Sequence, residues 1–103
     1  MSGVNVARGE AALVVDGAAL RLRPSFAALV AAEGELGSLF ALVERAAAGG
    51  LTLAEMVGLF WHCIVDPPEG MTREALGEAM LRGGLAAATP VLGTILRQIL
   101  AGR

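Results

Sequence analysis

The chain contains no lysine; all eight of its basic residues are arginine. That removes every mechanism built on a phosphate-loop lysine, a Schiff-base lysine or a lysine general base. Histidine and cysteine occur once each, as His62 and Cys63. A lone cysteine makes no internal disulfide, and a metal centre needs three or four protein ligands. Neighbouring positions on a helix point about 100° apart, so His62 and Cys63 do not share an ion. They read as a buried thiol beside a partly exposed imidazole, the latter hydrogen-bonded to Asp66 one turn on.

Charge is scarce as well. Charged residues make up 17% of the chain, and the formal net charge is −2. The arginines are dispersed at positions 8, 21, 23, 45, 73, 82, 97 and 103 and form no basic block. Nucleic-acid binding asks for a concentrated positive face and for aromatic rings on which bases stack. Aromatics are only 4% of this sequence, so nucleic acid is not an expected partner. Long apolar runs are missing too. The uncharged stretch between Arg82 and Arg97 contains Pro90 and falls short of the roughly 20 residues that span a bilayer. No membrane association is expected. The first residues, MSGVNVARGE, lack the apolar centre of a signal peptide. The default placement is the cytoplasm.

Candidates for catalysis fail one by one. Ser2, Ser25 and Ser38 sit in a tail, at a cap and at a helix start, none within a Gly-x-Ser-x-Gly elbow. Cys63 lies in an apolar helix, where burial raises a thiol pKa rather than activating it. The carboxylate pairs Glu33/Glu35 and Glu74/Glu78 read as solvated faces. A calcium loop opening at Asp66 would need glycine at its sixth position and glutamate at its twelfth, but Met71 and Gly77 stand there. The double glycines follow helices and lack the phosphate-cradling order. No catalytic, cofactor-binding or metal-binding residue is assigned, no cofactor is expected, and the chain is not expected to be an enzyme.

What is present is apolar side chain. The sequence is 55% apolar before its 14 glycines are counted, against about 45–50% with glycine included for an average soluble domain. Disorder is thereby excluded. The length of 103 residues suits one domain, 1–103, with a hairpin over 9–23 and a helical part over 25–101. The hairpin is written in Ala11–Val15, the Asp16-Gly17 turn that favours positive φ at both positions, and Ala18–Arg23 with Leu20 and Leu22 alternating against Arg21 and Arg23. Helices follow. The first opens at Pro24-Ser25 and runs to Gly34. The second covers Leu36 to Ala48, with Leu36, Leu39, Phe40, Val43 and Ala47 as its apolar face. The third is capped by Thr52 with Glu55 and runs to about Val65. The fourth, Arg73 to Arg82, is capped by Thr72 and carries a Glu78–Arg82 pair. The last extends towards Ala101, kinked or started at Pro90 with Thr89 as cap. The fold class is α+β, mainly α: an N-terminal hairpin and four to five short helices in a small bundle. Gly58, Gly77 and Gly93 inside helices either allow close packing or keep the fold soft.

Leu59, Phe60, Trp61, Val91 and Ile95 exceed what one apolar face per helix requires. They read either as core plus contact between copies of the chain, or as a docking surface for an apolar helix of another protein. Met56, Met71 and Met80 would lend such a groove adaptable packing.

The order of features from Arg8-Gly9-Glu10 through the Asp16-Gly17 turn is distinctive. It continues with Leu22-Arg23-Pro24-Ser25-Phe26, Ala28-Leu29, Glu33, Gly37, Arg45 and Gly50-Leu51. In this the chain resembles the small tail proteins of gene transfer agents, which are similar to phage tail assembly chaperones and tail-tube-associated proteins. The resemblance covers most of the chain and is best from Arg8 to about Met56. It implies a non-enzymatic role, first as an assembly chaperone coating apolar helices of the tail tape-measure protein and recruiting tail tube protein. The alternative it implies is a structural tube or terminator-like component of the particle. Either would place the protein in the cytoplasm or on phage-like particles.

Overall fold

The computed structural model describes residues 9–102; Ser2 and Arg8 lie outside them. Strands β1 (Ala11–Val15) and β2 (Ala18–Leu22) pair antiparallel, with Val15 opposite Ala18 and Ala11 opposite Leu22. Asp16 and Gly17 between them have φ of +50° and +78°, the two positive values that a type I′ turn demands. Ala11, Leu13, Val15, Leu20 and Leu22 are buried, so both strands send one alternating set inward.

Four helices follow at the expected places: α1 (Phe26–Leu36), α2 (Leu39–Ala47), α3 (Leu53–Cys63) and α4 (Arg73–Gly83). After a 3₁₀ turn over Leu85–Ala88 comes α5 (Thr89–Ala101). The architecture is α+β and mainly helical. Side-chain caps set the starts. Ser25 accepts from the Ala28 amide at 3.2 Å, Thr72 from Ala75 at 3.0 Å, and Thr52 and Glu55 form a reciprocal capping box.

Several boundaries differ from the sequence reading. Helix α1 passes through Gly34 and stops before Gly37, whose φ of +88° no helix tolerates. Leu36 therefore belongs to α1, and α2 begins later at Leu39. Ser38 caps it, and Glu33 reaches across to accept from the Leu39 amide at 3.1 Å. Thr89 does not cap α5; it is the first helical residue, with Pro90 in the first turn, where a missing amide hydrogen costs no helical bond.

Helix α3 does not continue to Val65. Ile64 and Val65 turn extended and form a third strand, β3, antiparallel to β2 with Leu22 opposite Ile64. The cause is local. Asp66 precedes Pro67, which disfavours helical backbone at Asp66, and Asp66 takes φ of +53° instead. The two β-branched residues before it gain a pairing edge, and the Arg23 amide donates to the Cys63 carbonyl at 2.7 Å. The sheet order is β1-β2-β3.

The core lies between the inner face of the sheet and α3, α4 and α5. Leu22, Phe60, Leu76 and Ile95 are fully enclosed there, with Ala32 of α1 against them. Among the described residues no single helix is long and apolar enough to cross a membrane.

Candidate interaction surface

The five residues expected to contact a partner separate into two groups. Leu59, Phe60 and Ile95 are core side chains with almost no exposure, which corrects their reading as surface: α3 runs through the centre of the molecule, so its all-round apolarity is met internally. Trp61 and Val91 are half-buried and pack on the edge of that core. Met56 and Met80 are likewise buried and Met71 is half-buried, so the methionines chiefly pack the interior, and Met56 and Met80 only border small hollows apart from the exposed apolar faces.

Exposed apolar surface exists elsewhere. Phe26 is 84% exposed, Phe40 74% and Val30 52%. They surround a hollow of about 310 Å³, completed by Leu29, Leu39 and Ile99, with Glu33 as its charged side chain. The reason is the pattern of α1. Ala28 and Ala32, one turn apart, face inward, and their small size draws α1 close to the core. Phe26, Val30 and Glu33 then fall on the outward stripe. In α2 the buried position is Leu42, which leaves Phe40 turned out, against the expected apolar face that included it. The signal in α1 was the placement of Ala28 and Ala32 opposite Phe26 and Val30.

The polar groups form ties between elements. Glu35, at the end of α1, accepts from the Arg73 guanidinium of α4 at 2.9 Å and pairs with Nε2 of His62 in α3 at 2.8 Å. These bonds, Arg73's first and His62's second, hold the Glu35 carboxyl down at about 2. His62 thus meets Glu35, not Asp66. Arg82 reaches the hairpin turn and grips both carboxylate oxygens of Asp16, at 3.1 and 2.7 Å, lowering that carboxyl's pKa. Asp16 is the bidentate partner of Arg82, and the expected Glu78 partner adds only a weaker coulombic attraction without direct contact. Arg45 pairs with Glu55, whose pKa is lowered mainly by its bond to the Thr52 amide and next by Arg45. Burial pushes the Cys63 thiol up to about 12, which makes it a poor nucleophile. Among the described residues no group of three His, Cys, Asp or Glu is placed to hold a metal ion.

A family model described as phage tail tube protein, GTA-gp10, matches residues 8–102. No curated protein and no solved structure matches the chain.

Proposed function

The chain belongs to the phage tail tube protein family, GTA-gp10, and from that premise we propose that it is a structural subunit of a phage-like tail, joined to further copies through the hollow between α1, α2 and α5. The observation that carries this reading is the pair of phenylalanines, Phe26 and Phe40, held open to solvent beside Val30 around one apolar depression. Monomeric proteins seldom leave contiguous apolar area of this kind uncovered, and contacts between subunits are its usual use.

The family's description favours the structural reading over the chaperone reading that the sequence put first. Among the described residues no feature singles out a tape-measure protein as partner. The two roles separate in the finished particle. Mass spectrometry of purified particles should find this chain in stoichiometric amount. Its presence during assembly and absence from mature particles would overturn the structural reading and restore the chaperone.

A further inference from the structure

On a different face, α3 and α4 enclose a second and larger groove, of about 670 Å³, open along its length. Its floor is apolar: Leu36, Leu53, Val57 and Leu81, with Gly77 opposite Val57. Its rim carries four carboxylates, Glu35, Glu55, Glu74 and Glu78, against one guanidinium, Arg73. Arg73 is committed to Glu35, and Glu55 is matched by Arg45. Among the described residues Glu74 and Glu78 make no direct ion pair; Arg82 is held by Asp16 and meets Glu78 only through a weaker coulombic attraction. Glu74 and Glu78 stand one turn apart on α4, a spacing at which like charges repel. The groove therefore combines an apolar floor with an acidic wall, in which Glu74 sits in the first turn of α4 and Glu78 shares the field of Arg82 with Asp16.

We propose that this groove binds an amphipathic helix of another protein, one whose apolar stripe is flanked by lysine or arginine. Glu74, Gly77, Glu78 and Leu81 follow one face of α4, and the two turns they span measure roughly 10 Å. That length suits two turns of a guest helix, with anchors three or four residues apart on the floor and its basic flank meeting Glu74 and Glu78. A second copy of this chain does not supply such a guest. It has no lysine, and Arg21, Arg45, Arg73 and Arg82 are spent on internal ion pairs. Helix α5 carries Arg97 as its single charge.

The test uses two labelled helical peptides of about three turns, sharing one leucine stripe, the first flanked by lysine and the second by glutamate. Fluorescence anisotropy with the full chain should show the basic peptide binding at least about tenfold more tightly, with its affinity falling as salt rises. The double variant Glu74→Gln/Glu78→Gln, both at exposed positions, should weaken the basic peptide roughly fivefold and leave the acidic one unchanged. Leu81→Ser should weaken both. Equal binding of the two peptides, binding of neither, or an unchanged affinity in the double variant would overturn the proposal. So would a change in the oligomeric state of the chain on Leu81→Ser, which would assign the groove to a second copy. None of these results bears on the Phe26–Phe40 face.

Discussion

Glu35 joins three helices, being the last acidic residue of α1 and the partner of both His62 and Arg73. Its pKa is depressed from an ordinary 4.5 to about 2, so the folded state binds its proton less readily than the unfolded chain does. The stabilisation is fully present above about pH 4.5 and is lost as pH falls towards 2. Asp16 and Glu55 are shifted in the same direction and act with it. Denaturation followed by circular dichroism should show stability falling through that window, and Glu35→Gln should flatten the fall while lowering stability at neutral pH. An unchanged acid profile in Glu35→Gln would refute the role of the tie. Glycines act at the same scale. A Cβ on Gly77 would meet Val57 at 3.7 Å, an ordinary contact, so Gly77→Ala should stabilise by about 0.5–1 kcal/mol. Gly9 is the opposite case. Its φ is +75° and a Cβ would lie 2.1 Å from Gln98, so Gly9→Ala should lower the denaturation midpoint. Of the three helix glycines that either allow close packing or soften the fold, Gly58 alone meets a tight neighbour, Leu36 at 3.2 Å.

At the scale of elements, what was legible in the sequence was the local chemistry of starts and turns. Thr52, Thr72 and Ser25 cap because a hydroxyl three residues before an amide needs nothing distant to bond it, and Asp16-Gly17 turns for an equally local reason. Removing a cap should cost about 1 kcal/mol, so Thr72→Ala should lower the urea midpoint by roughly 0.3–1 M while leaving the slope unchanged. Strand β3 was not legible. Ile64 and Val65 continue the apolar period of α3; Asp66-Pro67 announces locally that the helix must end, but not that its last two residues leave it early to pair with the distant edge of β2. The surface was illegible for a related reason. In helices apolar on most sides, periodicity does not say which face is inward. Leu59, Phe60 and Ile95 read as surplus because they exceed one apolar face per helix, whereas Ala28 and Ala32 decide the orientation of α1 because they are small.

For the molecule as a whole, the surplus of apolar side chains survives folding but collects away from Leu59, Phe60 and Ile95. One face gathers Phe26, Val30, Phe40 and Ile99 around a hollow, and a second lines an acidic-walled groove. Covering a phenylalanine is worth roughly 1.5–3 kcal/mol, so losing two from a contact removes enough to weaken association by at least about a hundredfold. Neither Phe26 nor Phe40 contributes to the core, and their replacement should leave the fold intact. Sedimentation velocity over a concentration series, on the wild-type chain and on Phe26→Ser/Phe40→Ser, measures this contact directly. The wild type should associate as concentration rises, and the double variant should stay monomeric with an unchanged circular dichroism spectrum. Association that persists undiminished in the double variant, or a wild type that remains monomeric at every concentration, would contradict the account.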